Sequence, residues 1–494
     1  MSWVRTFVCG APRSKQQRAA SVVQIVRDEA PHPCTLFTVT ILSAGAPLAL
    51  VGVTPALIMP QLAQIVAPEI AATAALISNA CVHTGATLVH LLATNLGAEV
   101  DFLPPMTRAL GSSAFVLIGL VMLPFIHSTA VAFAGLCVGS LAFGLSTNVG
   151  SRLALALVGA WSRMPTEHAP GYSVISLAIP SIAMAATRAI LAHAPLTEGH
   201  LEGLLYVLAY MAAARSLQSV LFPDSRVFRP QSIAAFAFDT APLPRGRGTP
   251  TGQGCLRVCE VLRDWSAGPF LPMRLLLSGA LLLYAGVGSA FPIMLYYLED
   301  HTHMRLSGHA ASWLAAVGCA VDLIAALSIQ PIVKCLQRGL GWQMQQPHVI
   351  LIAVAVVCCA LVPAMALAPY HLGFGAFSYA TSLLTVALSN ALLLPAILAT
   401  TTQYDQIERD TAIVLSSVAI GPSLLSLLAC SILDWHGSEH VEGRARPRYS
   451  IESYSWFGAL ITVIMALGAG CWIACASVVR YRDKVGEEGG LTIV

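Results

Sequence analysis

Apolar runs of about twenty residues recur along this chain, separated by short polar breaks, and about twenty residues is what one helix needs to cross a bilayer. The alternation predicts twelve spans. They lie at about 35–60, 70–94, 110–127, 130–161, 172–193 and 201–222, then 271–298, 309–334, 348–368, 371–400, 411–434 and 453–479. One long polar interval, 223–270, separates the sixth run from the seventh. Its middle, Ala241-Pro-Leu-Pro-Arg-Gly-Arg-Gly-Thr-Pro250, reads as a flexible linker. Its end places Leu256, Cys259, Leu262 and Trp265 on one helical face, with Arg257 and Arg263 off it, which predicts a short helix lying on the membrane surface.

The pattern also repeats. Residues 135–191 and 377–433 each read as a long apolar helix, a charged loop and a second apolar helix. A shift of 242 positions brings Asn148 onto Asn390, Ala154 onto Ala396, Pro180 onto Pro422 and Ser181 onto Ser423. Parallel internal repeats of this size are one way membrane transporter folds are built.

Composition agrees with the pattern. The chain has 494 residues, 56% hydrophobic and 11% charged, where a soluble domain carries roughly a quarter charged residues. A formal net charge of +2 gives no reason to expect a nucleic-acid partner. The 13 cysteines are scattered through apolar runs without a CxxC, so they read as small packing residues rather than zinc ligands or disulfides. No metal or cofactor is expected.

Charge sets the expected orientation. With the N-terminus inside, nineteen of the 27 basic residues fall in inner segments and four in outer loops. Both termini are therefore expected in the cytosol, in an integral multi-pass membrane protein, with the plasma membrane favoured. Arg444, Arg446 and Arg448 run against this bias, because the loop that carries them is expected outside. The expected organisation is a cytosolic tail (1–34), a six-helix bundle (35–222), a cytosolic linker with an interfacial helix (223–270), a second six-helix bundle (271–480) and a cytosolic tail (481–494).

Six spans, a cytosolic linker and six more spans in parallel repeat resemble the major facilitator superfamily over residues 35–480. Glu408-Arg409-x-Thr411-Ala412 followed by Gly421-Pro422 is similar to that family's loop and helix after the tenth span. Gly135, Gly139 and Gly144 are similar to its glycine-rich fourth span, and Gly97-x-x-x-Asp101 with Arg108 to a worn form of its loop between spans 2 and 3. The basic cluster normal in that loop is absent. A second resemblance is to equilibrative nucleoside transporters, through Asp322 in span 8 and the loop and small-residue helix at span 11. That family has eleven spans and an Asp-x-x-Gly-Arg pattern missing here, so it ranks second. The implied fold is all-α and polytopic, with 12 transmembrane helices in two parallel six-helix repeats, major-facilitator-like.

Candidate chemistry lies in the polar groups at membrane depth, where charge is costly and is presumed to face protein or water. Asp322 is read as either a proton site or a structural ion pair. The resemblance implies a cavity lined by spans 1, 4, 7 and 10. It points Asn148 and Arg152 inward, with Asn390 as the repeat-related partner; Arg152 can fork onto a carboxylate or phosphate, or snorkel. Arg188 in span 5 is a gating candidate through Asp322 in span 8, with snorkelling as the alternative. His83 and His90, seven apart on span 2, share a face with Asn79; they read as a proton relay or, more commonly, as interior histidines hydrogen-bonded across helices. Tyr284, Tyr296 and Tyr297 can stack on a ligand, although tyrosines at span ends more often anchor in the interface.

These features predict a non-enzyme: a secondary active or facilitative transporter, moving a small polar organic solute by alternating access, with proton coupling left open. No Walker A motif is present. The expected partners are the solute, the lipid bilayer and, if coupled, protons. The alternatives are an equilibrative nucleoside-type facilitator and, from another class, a membrane-embedded enzyme or a non-transporting scaffold.

Overall fold

The computed structural model describes residues 30–42, 58–92, 103–162, 271–302, 347–361, 407–435, 438–439 and 446–488, with isolated positions between 175 and 221, 316 and 338, and 376 and 384. The described chain is almost wholly helical. In order come α1 (Pro33–Leu42), α2 (Met59–Val66), a 3-10 turn (Pro68–Ile70), α3 (Ala71–Leu92), α4 (Leu103–Val121) and α5 (Thr129–Ser162). After the linker come α6 (Leu271–Thr302), α7 (Pro347–Leu361), α8 (Ile407–Ala429), the short α9 (Ile432–Trp435) and α10 (Ile451–Glu488). Two-residue strands β1 (Ser438–Glu439) and β2 (Arg448–Tyr449) pair antiparallel between α9 and α10, Ser438 opposite Tyr449.

Six of these helical stretches are long and apolar enough to cross a membrane: Pro68–Val89, Arg108–Phe125, Thr129–Val149, Leu271–Asp300, Ser416–Asp434 and Ile451–Val479. They coincide with predicted spans 2, 3, 4, 7, 11 and 12. The isolated described positions in predicted spans 5, 6, 8 and 10 are helical too.

α3 and α6 form the centre. The apolar windows of both are 72% buried, against 33% for α4 and 28% for α5. α6 packs against α10 and α8, and α3 against α8 and α5, while α4 lies on α5 and α7 on α10. The outer helices turn large apolar side chains outward, with Phe115, Val138 and Leu428 at 78%, 67% and 77% exposure. In water such a surface would be a liability; in lipid it is the solvent-matched face. Polar residues within spans are carried at little cost because their hydroxyls return to the preceding turn. Thr84 Oγ1 donates to Ala80 O at 2.8 Å, Thr87 Oγ1 to His83 O at 2.9 Å and Ser113 Oγ to Ala109 O at 2.8 Å.

The α3–α5 crossing depends on glycine. A Cβ on Gly144 would lie 2.0 Å from Val82 O, and one on Gly85 would lie 2.5 Å from Leu141 O. Both clashes are with backbone, so the helices touch main chain to main chain, as small-residue faces allow in membranes. All described cysteines are free, and buried Cys358 and Cys475 give their thiols to Ala380 O and Pro272 O.

Candidate functional site at the seam between the two parts of the chain

Helices from before the linker meet helices from after it along one seam, where α2 and α3 face α6, α8 and β2. One end of the seam is closed by ions. Glu299 and Asp300 stand in the last turn of α6, where two carboxylates oppose the helix dipole. Arg446, 4% exposed, supplies the cation. Its Nη2 lies 2.8 Å from Glu299 Oε2 and 3.0 Å from Asp300 Oδ1, and its Nη1 donates to Asp300 Oδ2 at 3.2 Å. The planar fork suits this double grip, which a lysine cannot make. The guanidinium also sits 4.5 Å from the Tyr296 ring centre and 5.4 Å from that of Tyr449. Burial works against its charge, but the Asp300 and Glu299 carboxylates outweigh that and hold its pKa above the ordinary arginine value.

The same cluster reaches across the seam. Gln64 Nε2 on α2 donates to Glu299 Oε2 at 2.9 Å. Tyr296 Oη donates to Pro60 O at 2.8 Å, with Ala71 O at 3.2 Å. The Ala72 amide donates to Tyr449 Oη at 3.1 Å, and that hydroxyl donates to Asp434 Oδ1 at 2.8 Å. Asp434 also accepts from the Thr73 amide at 3.0 Å and from the Thr73 hydroxyl. Burial, reinforced by the Asp434 charge, pushes the Tyr449 hydroxyl pKa well up, so it stays a donor. Tyr454 Oη completes the set by donating to Asp300 Oδ2 at 2.7 Å.

About 9 Å further along α3, at 1.5 Å per residue, the seam holds a second, uncharged node. Pro292 inside α6 has no N–H, so the carbonyl four residues earlier, Gly288 O, loses its helical partner. Asn79 Nδ2 on α3 takes that carbonyl at 3.1 Å and also donates to Ser426 Oγ on α8 at 3.0 Å. Ser426 Oγ reaches Ser289 Oγ at 3.3 Å, which donates to Pro422 O at 3.3 Å. Ser423 Oγ donates to Ala80 O at 2.9 Å. His83, one turn on from Asn79, lies edge-on to Tyr284, ring centres 6.1 Å apart. Asn79 Oδ1 and His83 Nε2 are buried without a hydrogen-bond partner.

The sequence-derived candidates divide into three groups. His83 and Tyr284 are brought together at the seam. Asn148 is buried in α5 and turns its amide back on its own helix, Nδ2 to Gly144 O at 2.8 Å. Asp322, Arg188 and Asn390 lie outside the described residues. So do the side chains of Arg152 and His90, although α5 and α3 run through them. His83 was read as a proton relay or an interior histidine hydrogen-bonded across helices, and its Nε2 has no hydrogen-bond partner. Tyr296 and Tyr297 were expected more as interface anchors, and both are buried. Sequence reasoning missed Glu299, Asp300, Arg446 and Asp434. The available signal was electrostatic: adjacent carboxylates closing an apolar run, and arginines on the wrong side of the charge bias.

No family model matches the sequence, and no curated protein matches it. Solved structures do match. A peptide transporter POT in complex with sulfate superposes with a TM-score of 0.59 at 12% identity, covering 92% of this chain and 98% of that one. A bacterial homologue of the iron transporter ferroportin, in an outward-facing state, gives 0.55 at 15% identity, covering 90% and 100%. A variant of the nucleoside transporter NupG gives 0.55 at 10% identity, covering 90% and 99%. The fold is that of the major facilitator transporters, in an integral multi-pass membrane protein.

Proposed function

We propose that this chain is a secondary carrier, moving a small polar organic solute across a membrane by alternating access between two six-helix repeats. The observation that carries the reading is the seam. Two sets of helices meet through a buried ionic cluster at one end and a hydroxyl-and-amide node further in, and the cross-seam hydrogen bonds among the described residues run from Pro60 to Thr84. Such an arrangement can seal one mouth of a central cavity and part as the halves rock. The charge bias places the sealed end outside, so the conformation is inward-facing. The likeness to transporters of peptides, iron and nucleosides supports the carrier class without selecting a solute. An equilibrative nucleoside facilitator is the second reading, favoured by the NupG likeness.

The test is uptake by purified protein in proteoliposomes, offered amino acids, nucleosides, sugars and carboxylates with and without a pH gradient. Saturable uptake of one class supports the carrier reading. Uptake of nucleosides independent of the gradient favours the facilitator. A folded preparation that moves none of them overturns the reading in favour of a scaffold or an enzyme.

A further inference from the structure

The closed end of the seam holds three carboxylates, and their charges are answered in different ways. Glu299 and Asp300 share Arg446, which lies in their own half of the chain. Asp434 on α9 makes no ion pair among the described residues. Most of what answers its charge lies across the seam. The Thr73 amide donates to Asp434 Oδ2 at 3.0 Å, and the Thr73 hydroxyl donates to the same oxygen. From its own half, Tyr449 Oη donates to Asp434 Oδ1 at 2.8 Å, and that hydroxyl accepts from the Ala72 amide at 3.1 Å. Ala72 and Thr73 are the second and third residues of α3, where helix amides have no partner within the helix. A helix ordinarily satisfies these amides with the side chain of the residue just before it. Here that residue is Ile70, whose side chain has no acceptor. The cap comes instead from a carboxylate 361 positions away. It also sets a negative charge against the positive end of the α3 dipole, beside buried Ala72 and Tyr449.

We propose that Asp434 is the latch of this mouth: its carboxylate caps the N-terminus of α3 from the opposite half and holds the seam shut. The contact exists only while the halves are together. With the seam closed, one side chain satisfies the free amides of α3 and has its own charge met by the helix dipole. With the seam parted, α3 loses its cap and Asp434 keeps only Tyr449. Arg446 has a different part. Its two ion pairs lie within one half, so they survive a rigid parting of the halves. They shape the face that Asp434 and Tyr449 present, without choosing between closed and open. Aspartate suits the latch because it brings both an acceptor and a charge. Asparagine keeps the acceptor and loses the charge, alanine loses both, and glutamate keeps both on a longer arm. The assignment rests on the carrier reading for its claim that the seam parts during a working cycle.

The experiment is amide hydrogen exchange of the full-length protein in lipid nanodiscs, read by mass spectrometry on two peptides. One carries Ala72 and Thr73. The other carries Tyr449, whose amide donates to Asp300 Oδ2 and not to Asp434. One opening of the seam exposes both, so both should speed up together. Asp434→Asn, close to isosteric, should raise exchange about threefold through the lost charge. Asp434→Ala should raise it about tenfold through the lost charge and cap. Asp434→Glu should restore most of the protection. Faster exchange at Ala72 and Thr73 alone would make Asp434 a local cap that holds no mouth shut, and the proposal fails. Unchanged exchange in Asp434→Ala overturns it as well. So does a rise that extends to α4, which packs on α5, because that is general loosening. The proteoliposome panel tests the carrier reading separately. Matched acceleration of the two peptides with no uptake by wild type would leave the latch standing and remove the carrier.

Discussion

Arg446 holds both carboxylates that close the seam, and its removal is the most informative single change. Arg446→Gln leaves the Glu299 and Asp300 carboxylates buried without their cation, and breaking one side of a buried pair costs about 3–5 kcal/mol. The expected outcome is a lower unfolding midpoint in detergent. Arg446→Lys should recover only part of it, because a point charge cannot hold both carboxylates. At the same scale, Tyr449 fixes the alkaline limit of the seal. Its hydroxyl proton is bound more tightly in the fold than in the open chain, so the contribution is complete below the ordinary value of 10.0 and is lost as pH rises through the raised one. The seal should therefore be unchanged from pH 7 to about 10, which circular dichroism melting across that range checks. Tyr449→Phe should cost about 1–3 kcal/mol at neutral pH, because the Ala72 amide and Asp434 Oδ1 both lose a partner.

At the scale of elements, two helix crossings are decided by what is missing from them. The α3–α5 crossing needs a bare α-carbon at Gly144, where a Cβ would be 2.0 Å from Val82 O. Gly144→Ala forces the helices apart, and overpacking of this kind costs about 1–3 kcal/mol. Gly119 on α4 is the matched control, since a Cβ there meets nothing within 4 Å. Gly119→Ala should be neutral or slightly stabilising through helix propensity, and parallel thermal melts of the two variants compare them directly. Proline acts in the opposite sense. Pro292 breaks a bond inside α6, and the freed Gly288 carbonyl becomes a docking point for α3. The elements were legible in sequence, because twenty apolar residues leave a backbone no choice but a helix in lipid. The partner each helix would choose was not, because lipid-facing and protein-facing apolar residues look alike along the chain.

At the scale of the molecule, the seam is the feature to test as a moving part. Thr73 on α3 and native Cys430 after α8 meet across it, Thr73 Oγ1 donating to Cys430 O at 2.7 Å. Thr73→Val removes the hydroxyl that donates to Cys430 O and to Asp434, and should loosen the seam, read as a lower unfolding midpoint in detergent. An unchanged midpoint would mean that the seam does not depend on these bonds. The sequence by itself determined that this is a polytopic helical membrane protein and that it resembles the major facilitator fold. Those are properties of length, spacing and composition, which are local. It also marked His83 and Tyr284 as polar groups worth watching. Only the tertiary structure decided that Arg446 from the last loop pairs with Glu299 and Asp300, and that Asn79 Oδ1 and His83 Nε2 are buried without a hydrogen-bond partner. These outcomes join residues far apart in the chain, up to 377 positions between Ala72 and Tyr449, and no periodicity records which distant polar groups packing will place within hydrogen-bond reach.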